Sequence, residues 1–144
     1  MNIYEQQVRK FYFEIWDKKN FDGIPNVLHE GFLFRGSLGQ QKRGFEGFKD
    51  YVLAVHGALS NYKCIIDDLV VESDKLQSNK VFAKMTFTGI HSSEFMGYRA
   101  TNKQVSWVGA ALFIFIEDKV SSLWVLGDLK GLENQLDDNI RQAE

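Results

Sequence analysis

Trp124, Leu126 and Asp128 alternate along the chain, so on a strand they share one face. A carboxylate held beside leucine and tryptophan loses part of its hydration, which raises its pKa. A base tuned upward in this way suits removal of a carbon-bound proton near neutral pH. Asp128 is therefore the candidate acid/base residue. It also stands directly before Leu129-Lys130-Gly131, where an aspartate suits the N-cap of a helix. Both readings stay open on the sequence alone.

A hairpin supplies the surroundings. Gln104–Ile116 and 120–128 read as strands joined by a tight turn at Glu117-Asp118-Lys119. With Asp118-Lys119 as a two-residue turn, Asp128 faces Gly109, Leu126 faces Ala111 and Trp124 faces Phe113. Small residues opposite Asp128 would leave open volume above an aromatic floor. Trp107 shares that face and can stack on a flat ligand. A one-step change of register would turn every side chain over.

The strand Lys80–His91 alternates, with Met85, Phe87 and His91 on one face. His91 can polarise a carbonyl, or its ring nitrogens can tie down the loop at 92–96. Cys64 reads as a small buried hydrophobe. Arg35 and Arg99 are surface charges, or clamps for an acidic group at a cavity mouth. The 3 histidines are far apart, so no metal site is expected. Gly36, Gly39, Gly44 and Gly47 lack the Gly-Lys-Ser/Thr end of a phosphate loop, and no cofactor is expected.

The elements that must hold these residues are legible from periodicity. Tyr4, Val8, Phe11, Tyr12 and Ile15 make one apolar helical stripe, which Asn2 can cap. A short helical turn at 24–28 accommodates Pro25. Residues 31–37 read as a strand centred on Phe32, Leu33 and Phe34, and a loop follows. Phe45, Phe48, Val52, Val55 and Leu59 predict a second helix over 45–59. From Tyr62 to Asp128 the chain reads as sheet, with strands at 64–72, Lys80–His91, Gln104–Ile116 and 120–128. A short amphipathic helix or tail closes the chain at 131–142. Helices followed by a long meander give α+β, one domain over 1–144. Gln104–Ile116 is apolar on both faces, so its outer face needs cover, and a second copy of the chain is the simplest cover.

Composition bounds the function classes. Lys+Arg is 17 against 19 Asp+Glu, a net charge of −2, which gives no general attraction to nucleic acid or anionic membranes. The longest apolar stretch falls well short of the roughly 18 residues of a spanning helix, and MNIYEQQVRK lacks a signal-peptide core. A single cysteine excludes an internal disulfide. The expectation is a soluble, cytoplasmic protein.

Gly89-Ile90-His91-Ser92-Ser93-Glu94-Phe95-Met96-Gly97 and Thr101-Asn102-Lys103 resemble the G-x-H-x-G-x-F-x-G...T-G-[RK] stretch of SnoaL-like polyketide cyclases. Trp124 to Asp128, followed by Leu132 and Gln135-Leu136, resembles the W...D and Q-L ending of that ester cyclase-like family. Val8-Arg9-Lys10-Phe11-Tyr12 and Trp16 are similar to its first helix. The resemblance implies the nuclear transport factor two-like (cystatin-like) fold. In it a cone-shaped, curved antiparallel sheet wraps N-terminal helices around an apolar cavity. It also implies aldol-type ring closure without cofactor, with Asp128 at the acid/base position. Leu126 and Phe34 stand where many members carry histidine.

The expected ligand is a small hydrophobic or aromatic carbonyl compound, contacted by Trp107, Trp124, His91, Phe87, Met85, Phe113, Leu126 and Phe34. Two rival readings accompany the enzyme. One is a non-catalytic carrier of a hydrophobic ligand. The other is a dimeric interaction module whose interior lacks a pocket of about 300 Å³.

Overall fold

The computed structural model describes residues 2–72 and 79–143. Asn2 opens α1 (Ile3–Lys10), its Oδ1 accepting from the N–H groups of Tyr4 at 2.7 Å and Glu5 at 3.3 Å. The helix continues as a π-helical segment, Phe11–Asp17, which buries Phe11, Tyr12, Ile15 and Trp16. Lys19, with φ 55°, ends it. A 3₁₀ turn (Phe21–Gly23) leads into α2 (Ile24–Val27). Gln7 fastens the opening helix, its Nε2 donating to the carbonyls of Asn26 at 3.0 Å and Asp118 at 2.6 Å.

The remaining elements are β1 (Leu28–Arg35), β2 (Gln41–Arg43), α3 (Gly44–Ala58), β3 (Leu59–Val71), β4 (Lys80–His91), β5 (Gln104–Ile116), β6 (Lys119–Gly127) and α4 (Leu129–Ala143). They form an α+β domain around one open, curved six-stranded sheet of order β2-β1-β6-β5-β4-β3. Strand β2 lies beyond the expected loop at 36–40 and is an addition to the sequence reading. The sheet is also not wholly antiparallel, because β1 runs parallel to β6. The expected continuous sheet included 73–78, which lie outside the described residues.

The inner face of the sheet and the buried sides of the helices share an aromatic core. Phe48 of α3 packs against Phe11, Phe32, Phe34 and Trp16 with ring centroids 5.1–5.8 Å apart. Phe11 reaches Phe113 of β5 at 5.6 Å. The 92–103 connection closes with Phe95 and Tyr98 exchanging backbone hydrogen bonds across Met96-Gly97, both at positive φ. That is the turn type that glycine permits. Asn102 adopts φ 57°, which asparagine tolerates where the family pattern has glycine.

The register of the β5–β6 hairpin corrects the expected faces. The turn is Glu117-Asp118, pairing Ile116 with Lys119 and Phe115 with Val120. This moves the pairing by two residues and would have kept Trp124 facing inward. Ser121 is then an extra residue in β6, its hydroxyl donating to the Ile114 carbonyl at 3.1 Å. Beyond this bulge, Phe113 pairs with Leu123 and Ala111 with Val125. One extra residue turns a strand over. Trp124 and Leu126 therefore lie on the outer face, 45% and 50% exposed.

Helix α4 explains the Gln-Leu signature. Leu132 and Leu136 are fully buried. Gln135 lies beside β5 past the end of β6 and replaces a strand neighbour. Its Oε1 accepts from Ser106 N–H at 2.8 Å and its Nε2 donates to the Ser106 carbonyl at 2.6 Å. Gln135→Leu keeps the bulk but strands both backbone groups. It should cost about 1–3 kcal/mol in urea unfolding, the usual cost of an unsatisfied group. An unchanged midpoint would show that the bridge contributes nothing.

Candidate functional site

An α-helical Phe11–Asp17 would put Tyr12 and Asp17 about 140° apart around its axis, at roughly 100° per residue. Hydrogen bonds of the i→i+5 type bring residues five apart nearly into line. The π-helical winding thus turns Tyr12 and Asp17 toward the same neighbour, strand β3. Asp17 Oδ1 accepts from Cys64 N–H at 3.0 Å. The Trp16 carbonyl accepts from His56 Nε2 at 2.7 Å, fixing the segment to α3. Burial lowers the pKa of His56, so its ring stays a neutral donor.

Between this helix and β3 lies a groove of about 400 Å³, lined among others by Arg9, Tyr12, Phe13, Asp17, Cys64 and Ile66. Its wall is mostly apolar, and its charged rim is partly neutralised by Arg9–Glu5 at 3.0 Å. Asp17 is the half-buried carboxylate of the groove. Burial pushes its pKa from 3.8 to about 6, against the opposing pull of the Cys64 N–H and of Lys63. A carboxyl of this kind holds or releases a proton near neutral pH.

Tyr12 and Cys64 line both the groove and a second, interior space. This chamber is only about 10 Å³, at the threshold for holding one water molecule. Phe34, Ser37, Tyr51, Tyr62 and Phe87 also line it. Burial drives the phenols of Tyr12 and Tyr62 well above their ordinary pKa and that of Tyr51 to about 12. All three are neutral donors at physiological pH. Burial likewise raises the Cys64 thiol, which donates to the Tyr62 hydroxyl at 3.5 Å. The Tyr12 hydroxyl has no hydrogen-bond partner. The Tyr51 hydroxyl faces Ser37 and Leu38 N–H but makes no well-formed bond to either. Gly36 leaves room for it, since a Cβ there would sit 2.5 Å from the Tyr51 oxygen. A further recess of about 280 Å³ reaches Tyr51 from the other side, between α3 and Phe95.

The residues singled out from the sequence do not form one site. Phe34 and Phe87 line the chamber. Trp107, Met85 and Phe113 are buried on the inner face of the sheet. The space beside Gly109, expected to be open, is filled by the Phe87 ring. His91 is fully buried, and its Nε2 donates to the Tyr98 carbonyl at 3.2 Å, so it ties down the loop. Trp124 and Leu126 face outward, with the Arg35 guanidinium 5.8 Å from the Trp124 ring and donating to the Val125 carbonyl. Asp128 is exposed at the start of α4, and its Oδ1 accepts from Gly131 N–H at 3.0 Å. The capping geometry is realised, and the desolvation expected for Asp128 is absent. Asp17, Tyr12, Tyr51 and Tyr62 were not singled out. The sequence sign of this site was the apolar stripe Tyr4, Val8, Phe11, Tyr12 and Ile15, which carries Tyr12 and stops two residues short of Asp17. Among the described residues no group of three or more His, Cys, Asp or Glu side chains could hold a metal ion, and no helix is long and apolar enough to cross a membrane.

The family model described as SnoaL-like polyketide cyclase matches residues 6–136. Solved structures share the fold. TsrD from Streptomyces laurentii is 23% identical, covers 93% of this chain and 94% of its own, and superposes with a TM-score of 0.78. A provisionally named polyketide cyclase from Acidithiobacillus ferrooxidans is 20% identical over 99% of this chain and 97% of its own, with a TM-score of 0.80. A SnoaL-like polyketide cyclase from Agrobacterium tumefaciens is 17% identical over 94% and 99%, with a TM-score of 0.74. No curated protein sequence matches the chain.

The raised pKa of Asp17 makes stability depend on pH. The folded state binds this proton more tightly than the unfolded chain. Stability therefore falls as pH rises from 3.8 through about 6, and the ionised carboxylate is the costly form. Asp17→Asn keeps an acceptor for Cys64 N–H without the charge. It should raise Tm at about pH 7.5 relative to wild type, and the gain should vanish toward about pH 4. A Tm difference independent of pH would show that the carboxyl is not desolvated.

Proposed function

The chain belongs to the SnoaL-like polyketide cyclase family, and from that premise we propose that it is an acid–base catalyst of the aldol type. Its substrate is a small planar carbonyl compound seated in the groove between the π-helical segment and β3. Asp17, rather than Asp128, is the acid/base residue. The observation that carries this reading is the half-buried Asp17 carboxyl, with a pKa pushed to about 6, in a groove of about 400 Å³. That space is large enough for a bicyclic ring system.

Asp17 takes a proton from the carbon α to one carbonyl, leaving an enolate. The enolate carbon attacks a second carbonyl of the same molecule, forming the carbon–carbon bond. The carboxyl returns its proton to the resulting alkoxide, so substrate and product are isomers and no co-reactant is consumed. Phe13 and Ile66 supply apolar contact for the ring, and Tyr12 supplies an aromatic wall.

The first half of this cycle is measurable without the natural substrate. Wild-type protein should accelerate α-deuterium exchange of 2-tetralone in D₂O, with a rate that rises through an apparent pKa near 6. Asp17→Asn should lower that rate by about a hundredfold, the ordinary contribution of a general base. Asp128→Asn, which preserves the helix cap, should leave it unchanged. Loss of exchange in Asp128→Asn with retention in Asp17→Asn would transfer the role to Asp128.

The proposal includes a homodimer across the outer face of the sheet. Phe82, Leu112, Trp124 and Arg35 lie in register across β4, β5, β6 and β1. Val108 and Leu126 add to the same face, 48% and 50% exposed. An apolar row spanning adjacent strands is unusual on a monomer. Light scattering at micromolar concentration should give twice the chain mass, and Leu126→Glu should halve it. A monomeric wild type would remove the dimer from the account.

A further inference from the structure

Proton transfer at Asp17 uses one end of the groove and leaves the charge at the other end unexplained. Arg9 and Lys10, in the last turn of α1, line the same space as Phe13, Asp17 and Ile66. Arg9 donates through Nε to Glu5 Oε2 at 3.0 Å, and Lys18 Nζ lies 3.9 Å from Glu14 Oε1. Each of these i,i+4 pairs cancels its own charge. The exposed Lys10 ammonium has no ion pair among the described residues. A lysine in a last helical turn ordinarily answers the negative end of the helix dipole. That need is absent at Lys10. The helix runs on through Phe11–Asp17, and the Phe11 N–H is bonded to the Gln7 and Val8 carbonyls. The whole chain has a net charge of −2, so it gives no general attraction to anions. The unpaired cation is a property of the groove. Lys10 precedes Asp17 by seven positions, at most about 10 Å along the axis at roughly 1.5 Å per residue. A fused pair of six-membered rings with a substituent at its far end spans that distance.

We propose that the ligand of the groove carries a carboxylate at the end remote from its reacting carbon, and that Lys10, with Arg9 beside it, binds that carboxylate. This rests on the reading of the groove as the site of a planar carbonyl compound, and it narrows the substrate class to a planar keto acid. One unpaired ammonium balances one negative charge. A guanidinium that gives its Nε–H to Glu5 keeps two terminal nitrogens, whose forked N–H groups suit a carboxylate. Lys10 is then a specificity-determining residue and takes no part in proton transfer. The ligand carboxylate stays ionised through the whole aldol step, so its bond to Lys10 is equal in the ground and transition states. Such binding lowers KM and leaves kcat unchanged.

The first test needs no ketone. Naphthalene-2-carboxylate and naphthalene-2-carboxamide match in shape and differ in charge. At low salt, wild type should bind the carboxylate about threefold more tightly than the amide, the scale of one exposed charge pair. The preference should fade toward about 1 M salt, where the Debye length is about 3 Å. Lys10→Gln should abolish it and Lys10→Glu should reverse it, with amide affinity unchanged in both. Thermal melts of both variants verify folding. Equal affinity of wild type for the two ligands, or a preference that survives both substitutions, would overturn the proposal and leave the groove as a ring site. Binding of neither would overturn the groove as the ligand site, and the proposal with it. The second test places the charge along the ring. In α-deuterium exchange, wild type should show a KM about threefold lower for 2-tetralone-6-carboxylate than for its 6-carboxamide, at equal kcat. Lys10→Gln should erase that difference. An equal gain from the 8-carboxylate, whose charge lies beside the reacting carbon, would overturn the placement at the remote end. The acid–base reading fails separately, through unchanged exchange rates in Asp17→Asn.

Discussion

The fold turns on the π-helical winding of Phe11–Asp17. Continuing α1 with its ordinary period would have set Tyr12 and Asp17 on different sides. The wider turn buries Phe11, Tyr12, Ile15 and Trp16 together and still directs Asp17 at β3. Such segments sacrifice hydrogen-bond geometry, and they recur where function needs a displaced side chain. Here the winding is held at its end by two bonds from other elements, His56 to the Trp16 carbonyl and Cys64 N–H to Asp17. Groove, wall and carboxylate all follow from that placement.

The aromatic core explains why the groove lies outside the interior, between the π-helical segment and β3. Phe11, Phe32, Phe34, Phe48 and Phe113 fill the interior with edge and stacked contacts. Protein interiors pack to the density of organic crystals, so rings of this size leave little volume once they interlock. Among the described residues these rings leave a chamber of about 10 Å³. An interior filled by its own side chains is what the interaction-module reading expected. The groove outside Tyr12 and Cys64 supplies the volume that the interior lacks.

Much of the fold was legible because it follows from period. The alternation over Lys80–His91 and the continuous apolar run of Gln104–Ile116 gave strands with the observed bounds. The stripe from Phe45 to Leu59 gave α3 within a residue at each end, Leu59 being the first residue of β3. Asp128 before Leu129-Lys130-Gly131 gave the helix cap. The site was far less legible. A bulge at Ser121 has no signature in residue type, yet it turned Trp124 and Leu126 outward. The π-helical segment carries an apolar pattern that an α-helix would satisfy equally well. Tyr12, Asp17, Tyr51 and Cys64 meet only through long-range packing, and no local spacing announces it. Cys64 was placed correctly as a buried hydrophobe, but the tyrosine hydroxyls around it were not visible from its neighbours in sequence.

Asp17 is held half out of water in the groove, and burial pushes its carboxyl to about 6. A carboxyl-¹³C NMR titration of wild type, with the Asp17 resonance assigned by its loss in Asp17→Asn, measures this directly. The expected midpoint is about 6. A midpoint at the ordinary aspartate value of about 3.9 would contradict the account, because a fully hydrated carboxylate has no advantage as a base over any other on the surface.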